Sequence, residues 1–154
     1  MSLLLLSEKI KLRFPLSQEP EKDYGKPSAA VLVILFTRDG ETFVLMIKRA
    51  RHLERHAGEI AFPGGMSDPD DKDLLQTALR ETLEELRLEI AEDSVIGRLT
   101  TVTTLSGIKV TPFVSVVADL RGYEINVTEV ELALEIPLKE LLSTRRENPE
   151  SKAG

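Results

Sequence analysis

The chain has 154 residues, a length that fits one domain with a substantial buried core. A hydrophobic fraction of 42% and a charged fraction of 30% are typical of a globular protein, and no apolar run approaches the ~20 residues that a membrane span needs. The absence of cysteine excludes disulfides and thiolate sites, while a formal net charge of −6 argues against nucleic-acid binding, which usually needs a basic face. Because the apolar run at 3–6 is too short for a signal peptide, the default expectation is a cytoplasmic protein.

The first third of the chain predicts an N-terminal leader and a hairpin. Residues 1–27 combine a short helical pattern with three prolines, and we expect them to form a leader that packs on the domain. The nearly continuous apolar run at 28–37 is rich in β-branched side chains, which predicts a strand buried on both faces. An Asp-Gly turn within 38–41 then returns the chain into a partner strand at 42–49.

The middle of the chain predicts a loop followed by one main helix. A basic, irregular stretch leads to a short strand within 59–65, which ends at Pro63 and a pair of glycines. The acidic segment 67–73 supplies N-caps and favourable charges for a helix that runs to about Arg87.

The last third predicts strands and a short helix. Strands at 94–105 and 108–120 are joined by a Ser-Gly turn, a possible last strand covers 130–136, and a helix opens with proline at 137–142. Because strands outnumber helices and one helix lies in mid-chain, the sequence predicts a mixed α/β (α+β) layered domain.

Three glutamates lie close together on the predicted helix, in the segment TALRETLEEL. At about 100° per residue, Glu81 and Glu85 lie one above the other along an edge of the apolar stripe, and Glu84 is turned further outward. Like charges at this spacing cost roughly 0.2–0.5 kcal/mol on an exposed helix, and more where water is partly excluded. On these residues alone, two interpretations stay open: an acidic solvated edge relieved by Arg80 and Arg87, or a cation site.

The loop before the helix favours the cation site. Gly64 and Gly65 can adopt backbone conformations that are closed to other residues, so the chain can turn tightly over the helix. The carboxylates of Glu81, Glu84 and Glu85 are hard oxygen ligands that suit Mg²⁺ or Mn²⁺, and a divalent ion would convert their repulsion into attraction. Because Mg²⁺ is usually completed by water and substrate phosphates, such a site predicts a phosphate-containing ligand.

The segment RETLEELRL at 80–88 resembles the second half of the Nudix hydrolase signature. That signature reads Gly, five residues, Glu, seven residues, then Arg-Glu-(apolar)-x-Glu-Glu-x-Gly-(apolar), and the matching residues here are Arg80, Glu81, Glu84, Glu85 and Leu88. The spacing from Gly65 to Arg80 is one residue longer than in the signature, and Asp71 best matches the first Glu. Arg87 replaces the terminal Gly, which serves a left-handed helix end, so this replacement affects stability more than chemistry.

The longer spacing is similar to that of the coenzyme A pyrophosphatase branch of the family. The residues that fit its extended motif are Arg49, Ala50, Gly58, Phe62, Pro63, Gly64 and Gly65, and the glycine pair is assigned to substrate binding. Glu54 occupies the inner Arg position of the motif, with Arg55 beside it. The likeness spans 28–142, which is expected to be the Nudix domain, followed by a polar C-terminal tail at 143–154.

The resemblance implies a Nudix-type α/β/α sandwich and a Mg²⁺-dependent enzyme. That enzyme would cleave coenzyme A to 4′-phosphopantetheine and adenosine 3′,5′-bisphosphate, with metals neutralising the pyrophosphate while water attacks one phosphorus. Glu81 and Glu85 would be the principal metal ligands, and Glu84 a further ligand or a water-positioning base. Arg80 would orient the glutamates by ion pairing. The alternatives are hydrolysis of ADP-ribose, NADH or a dinucleoside polyphosphate, and, from another class, a nucleotide-binding module without turnover.

Basic residues are concentrated upstream of the glycine pair, at Lys48, Arg49, Arg51 and Arg55. They are either a solvated loop or a clamp that steers an anionic substrate to the metal, and Arg49, Arg51 and Arg55 are assigned to the clamp. Coenzyme A suits a clamp of this kind because it carries a pyrophosphate and a 3′-phosphate.

Four other polar residues lie near the predicted site in the sequence: His52, His56, Glu59 and Glu129. His52 and His56 are expected to be bystanders, because the loop gives them no fixed helical face. Glu59 and Glu129 are either bases or extra ligands, or plain surface residues.

The edge of the last strand predicted at 130–136 is the basis for predicting a homodimer. Family members usually continue with another strand and a helix, whereas the residues after 142 are polar and lack apolar periodicity. An unpaired strand edge is normally covered, and a second copy could cover it through a symmetric interface. The apolar run at 3–6 is the alternative cover within one chain.

Overall fold

The computed structural model describes residues 2–16 and 27–147 of the chain. Within these ranges the main helices are α1 (Leu3–Arg13), α2 (Leu74–Leu86) and α3 (Leu138–Glu147). The strands are β1 (Ser28–Arg38), β2 (Glu41–Arg49), β3 (Ile60–Ala61), β4 (Gly64–Met66), β5 (Val95–Arg98), β6 (Val102–Thr103), β7 (Lys109–Val117) and β8 (Val130–Pro137). None of the described helices has the length and apolar character that crossing a membrane requires.

The described strands form one mixed sheet around β1. β7 runs parallel to β1, from the Ser28–Lys109 pair to the Phe36–Val117 pair. β2 pairs antiparallel with the second half of β1, as the predicted hairpin requires. β8 lies outside β2, and β5 and β6 both pair with β7. The only partner of β8 among the described strands is β2.

The two central strands separate where the glycine-rich segment enters the sheet. The first half of β1 pairs with β4, and the end of β2 pairs with β3, so the segment 60–66 fills the gap between β1 and β2. The backbone N–H of Leu32 donates to the carbonyl of Pro63 at 2.8 Å. A Cβ on Gly64 would clash with the carbonyl oxygen of Ala30 and would lie 2.6 Å from the Cα of Val31, so only glycine fits this position.

Alternate residues of β1 face two separate apolar layers, because side chains alternate along a strand. One layer joins the sheet to α2 and includes Ala30, Leu32, Ile34, Phe36, Leu74, Leu75, Ala78 and Leu86. The other layer joins Leu35 and its neighbours to the two remaining helices and includes Leu3, Leu6, Ile10, Val44, Met46, Val114, Leu138 and Leu141. Helices therefore cover both faces of a mixed sheet, which confirms the predicted α/β/α sandwich and the buried strand at 28–37.

The single strand predicted at 94–105 is wrong, because the structure divides it into β5 and β6. The backbone N–H of Leu99 donates to the carbonyl of Pro112 at 2.8 Å, at the point where the pairing with β7 is interrupted. Pro112 has no backbone N–H to donate to Leu99, so the regular pattern of paired hydrogen bonds between the two strands stops there. The short strand predicted within 59–65 is likewise two pieces, β3 and β4, with Pro63 between them.

Helix α1 lies against β5 at one side of the sheet. The backbone N–H of Arg98 donates to the carbonyl of Phe14 at 3.0 Å, and a Cβ on Gly97 would lie 2.5 Å from the same oxygen. The first part of the predicted leader is therefore in contact with the domain, while residues 17–26 lie outside the described ranges. Of the predicted tail, residues 143–147 belong to α3 and the rest lies outside the described ranges. The domain boundaries and the homodimer stay predictions, and light scattering at micromolar concentration tests the dimer.

Candidate active site

Helix α2 places Glu85 beneath the glycine segment. The helix begins at the N-cap Asp73, whose side chain accepts from the N–H of Gln76 at 2.8 Å. It ends at Arg87, which has the left-handed φ of 52° that the resemblance predicted for this position. Glu85 is only 3% exposed, and its Oε1 accepts from the backbone N–H of Gly64 at 2.9 Å. The loop and the helix together fix this carboxyl group.

The carboxylate of Glu81 lies against the backbone of Gly65. A Cβ on Gly65 would lie 2.7 Å from the carboxyl carbon of Glu81 and 2.8 Å from its Oε2. A side chain at position 65 would therefore push this carboxylate away. The two glycines position the two carboxyl groups by different means, Gly64 through its N–H and Gly65 through its missing side chain.

A third carboxylate, from Glu129, joins these two. Glu81, Glu85 and Glu129 each offer one oxygen, and these oxygens lie within 4.8 Å of one another. Glu84, the third ligand expected from the sequence, lies outside this group, because its side chain is 47% exposed and pairs with Arg80 at 3.2 Å. The sequence raised Glu129 only as an open possibility, since no helical spacing relates it to α2.

Arg80 links the preceding loop to the glutamates. Its Nε and Nη2 donate to the buried carboxylate of Asp71 at 2.8 and 3.0 Å. Its Nη1 donates to Glu81 at 3.1 Å and to Glu84 at 3.2 Å, and Nη2 also donates to the carbonyl of Met66 at 3.2 Å. These hydrogen bonds hold the pKa of Asp71 well below its usual range and raise that of Arg80. Arg80 is therefore in direct contact with Glu81, and its expected role in orienting the glutamates stays a prediction.

The carboxyl groups of Glu81 and Glu85 hold their protons more strongly than in water. Burial raises the pKa of Glu85 to about 8, against the opposing hydrogen bond from Gly64, and the nearby charges of Glu81 and Glu129 raise it further. Burial also raises the pKa of Glu81, against the opposing charge of Arg80. A divalent cation would favour the ionised forms, and three convergent carboxylate oxygens are the hard ligands that Mg²⁺ and Mn²⁺ prefer. The residues present thus fit such an ion.

A cavity of about 520 Å³ opens beside the three carboxylates. Ligand sites in proteins commonly have roughly 300–1,000 Å³. Besides the carboxylates, the lining includes the cations Arg49 and Arg55, the glycine pair Gly64 and Gly65, and the apolar side chains Val31, Leu53, Phe62, Ile108 and Val110. One cavity therefore combines an acidic end, cationic side chains and an apolar wall.

The structure divides the predicted clamp into two groups. Arg49 and Arg55 line the cavity, and the Nε of Arg49 is buried without a hydrogen-bond partner among the described residues. Arg51 is not among the lining residues, and its Nε pairs with Glu131 at 3.0 Å. Lys48 pairs with the same carboxylate at 2.9 Å. Two of the three assigned arginines thus line the cavity, and their role in substrate binding stays a prediction.

The two histidines take part in hydrogen bonds of the surrounding loops. His52 Nε2 donates to the carbonyl of Thr128 at 2.7 Å, next to Glu129. His56 Nδ1 lies 3.0 Å from a carboxylate oxygen of Glu59, and both residues line the cavity. Neither histidine belongs to the carboxylate cluster.

Comparison with known proteins shows the family to which the chain belongs. Residues 26–151 match the model of the NUDIX domain. The chain belongs to the Nudix family. It is 41% identical over 143 residues to a protein of Yersinia enterocolitica named uncharacterized Nudix hydrolase NudL, which covers 92% of this chain and 72% of that protein. A protein of the same name from Yersinia pestis is 44% identical over 118 residues, covering 77% of this chain and 59% of the relative.

Solved structures show the same fold. The NUDIX domain of Shewanella oneidensis NrtR, complexed with ADP ribose, has a TM-score of 0.63 and 21% identity, covering 79% of this chain and 82% of that one. An Ap4A hydrolase of C. elegans, solved as a binary complex, has a TM-score of 0.58 and 22% identity, covering 75% and 83%. At these identities the likeness concerns the fold, while family membership and the hydrolase names of the relatives support an enzyme.

Proposed function

We propose that this Nudix protein is a Mg²⁺- or Mn²⁺-dependent pyrophosphohydrolase and that coenzyme A or one of its derivatives is its substrate. The products would be 4′-phosphopantetheine and adenosine 3′,5′-bisphosphate. The observation that carries the proposal is the convergence of three carboxylates, within 4.8 Å of one another, beside a cavity that also holds Arg49 and Arg55. An anionic ligand in this cavity would meet both the cationic side chains and the cation site.

The described residues have distinct tasks in this proposal. Glu81, Glu85 and Glu129 would hold the ion, which supplies neutralisation of the pyrophosphate charge and a more acidic attacking water. Gly64 fixes Glu85 through its N–H, and Arg80 orients Glu81.

Glu84 contributes through its ion pair with Arg80 in this arrangement. The expectation that Glu84 is a direct ligand or a water-positioning base stays a prediction.

The cavity supports a substrate with both a phosphate-rich part and an apolar part. Arg49 is near enough to Glu85 to lower its pKa, so it suits the pyrophosphate, which leaves Arg55 for a further phosphate. The apolar wall around Phe62 and Val110 suits an uncharged arm such as pantetheine. Coenzyme A combines a pyrophosphate, a 3′-phosphate and such an arm, and the Phe62-Pro63-Gly64-Gly65 context resembles its dedicated branch.

ADP-ribose and dinucleoside polyphosphates are the competing substrates. The structural neighbours include a domain complexed with ADP ribose and an Ap4A hydrolase. Both compounds contain the phosphoanhydride bond that the carboxylate cluster would serve. They lack a 3′-phosphate and a pantetheine arm, so they offer no group that would bind Arg55 or the apolar wall.

A substrate panel tests the proposal. Coenzyme A, its 3′-dephospho form, ADP-ribose, NADH and Ap4A are compared with Mg²⁺ and with Mn²⁺, and the products are identified by mass. We expect kcat/KM for coenzyme A to exceed that for the 3′-dephospho form about tenfold or more, since a charge-assisted hydrogen bond contributes roughly 1.5–3 kcal/mol. Superiority of ADP-ribose would overturn the coenzyme A assignment. Nucleotide binding without any turnover would instead indicate a non-catalytic module.

A further inference from the structure

The turn that carries Glu129 is attached directly to the C-terminal end of helix α2. The backbone N–H of Asn126 donates to the carbonyl of Glu85 at 2.9 Å, and the N–H of Glu124 donates to the carbonyl of Leu86 at 2.7 Å. These bonds use carbonyl groups in the last turn of the helix, which have no partner within it. The turn is therefore hydrogen-bonded to the backbone of Glu85, which itself carries one of the clustered carboxylates.

Asn126 also closes the turn with its side chain. Its Oδ1 accepts from the N–H of Thr128 at 3.2 Å and from the Thr128 hydroxyl at 2.7 Å. Its carbonyl accepts from the N–H groups of Glu129 at 3.0 Å and Val130 at 2.8 Å. Asparagine is suited to this arrangement because its short side chain can bond the backbone two residues ahead.

The far side of the turn is tied to the loop that follows Arg49. His52 Nε2 donates to the carbonyl of Thr128 at 2.7 Å, and the N–H of Ala50 donates to the carbonyl of Glu129 at 3.0 Å. Glu129 is thus held between α2 and this loop through its backbone. Its side chain needs such support, because Glu81 and Glu85 are related by helical spacing and Glu129 is not.

We infer that Asn126 is a positioning residue that sets the carboxylate of Glu129 against that of Glu85 for metal binding. The inference rests on the proposed function, since it assumes that the cluster holds an ion. Mg²⁺ demands near-ideal octahedral geometry, so a displaced ligand weakens binding even when the ligand itself is intact. Residues that orient metal ligands typically change metal affinity 10–100-fold when they are replaced.

The test compares variants of the full chain that break or keep the turn. Asn126→Ala removes both side-chain bonds, Thr128→Val removes only the hydroxyl bond, and Thr128→Ser keeps it. Val127→Ala is the matched control, because Val127 is 72% exposed in the same turn and lies outside the carboxylate cluster. Glu129→Gln and Glu85→Gln are the references for direct loss of a carboxylate.

The readouts are Mn²⁺ affinity by isothermal titration calorimetry, the melting temperature without metal, and the kinetics of coenzyme A hydrolysis. We expect Asn126→Ala to weaken Mn²⁺ binding about tenfold and Thr128→Val severalfold, with Thr128→Ser and Val127→Ala within twofold of the wild type. The activity loss of Asn126→Ala should be partly recovered at high Mn²⁺, because the ligand is displaced and not removed.

Each outcome decides one of the two ideas. If Asn126→Ala and Thr128→Val lower only the melting temperature and keep wild-type Mn²⁺ affinity, while Glu129→Gln weakens it, Asn126 is merely structural and the inference is wrong. If Asn126→Ala fails to fold, the Thr128 pair gives the same comparison. If Glu85→Gln and Glu129→Gln both bind Mn²⁺ like the wild type, the proposed metal site itself has failed.

Discussion

Replacement of Glu85 by Gln tests the metal site and the burial of its central carboxyl group together. Gln has nearly the same shape, and its side-chain oxygen can still accept the N–H of Gly64, which lies 2.9 Å from the Glu85 oxygen. The substitution therefore removes an ionisable group without opening a cavity. We expect it to abolish nearly all hydrolysis and to stabilise the metal-free protein at neutral pH.

The size of this expected stabilisation follows from the pKa of Glu85. This pKa is raised from 4.5 to about 8 in the folded protein. At a pH between these two values, the folded state therefore keeps a proton that the unfolded state has released. The stability of the metal-free wild type therefore falls as pH rises through this window and is constant below and above it. At 1.36 kcal/mol per pKa unit, the loss at pH 7.5 is on the order of 4 kcal/mol, as an upper bound. The Gln variant has no such loss.

Thermal melts with EDTA at pH 5 and pH 7.5 measure this difference. For a chain of this size, 1 kcal/mol shifts the melting temperature by roughly 2–4 °C, so we expect the Gln variant to melt about 5–15 °C higher at pH 7.5. At pH 5 the two proteins should melt within a few degrees of each other. Added Mg²⁺ should stabilise the wild type and leave the variant unchanged. An equal gain at both pH values would refute the ionisation argument, and wild-type turnover by the variant would refute the ligand assignment.

Three further predictions concern the neighbouring residues. In Gly65→Ala the new Cβ would lie 2.7 Å from the carboxyl carbon of Glu81, so we expect Mn²⁺ affinity by calorimetry to fall about tenfold; unchanged affinity would contradict the placement of Glu81. Arg55→Ala should remove most of the preference for coenzyme A over its 3′-dephospho form, whereas Arg51→Ala should keep it. The ratio of kcat/KM for the two compounds, measured in each variant, decides whether only the arginine that lines the cavity contacts the 3′-phosphate. Between pH 6 and 8, the Mg²⁺ concentration for half-maximal activity should fall up to about tenfold per pH unit, because the ion must displace the proton of Glu85; a flat profile would show that Glu85 is already ionised without metal.

The sequence by itself determined the features that depend on short-range periodicity. The continuous apolar run at 28–37 required a strand buried on both faces, and in the structure it lies at the centre of the sandwich. The spacing of Glu81 and Glu85 required two carboxylates on one edge of a helix that is also packed against the core. The helix end at Arg87 was implied by the resemblance to the Nudix signature, and Arg87 adopts the left-handed conformation there. Each of these depends on neighbours within a few residues, which the sequence lists directly.

Only the tertiary structure decided which residues distant in sequence lie beside the glutamates of α2 at the candidate site. Glu129 enters the cluster in place of Glu84 because its turn is hydrogen-bonded to the last turn of α2, a contact between segments that no local pattern relates. Arg51 is not among the residues lining the cavity and pairs with Glu131 of β8, and that pairing depends on the sheet order. The strand at 94–105 is divided because Pro112, on another strand, lacks the N–H that a regular ladder needs. In each case the deciding partner is distant in sequence, and its position depends on how the whole chain packs.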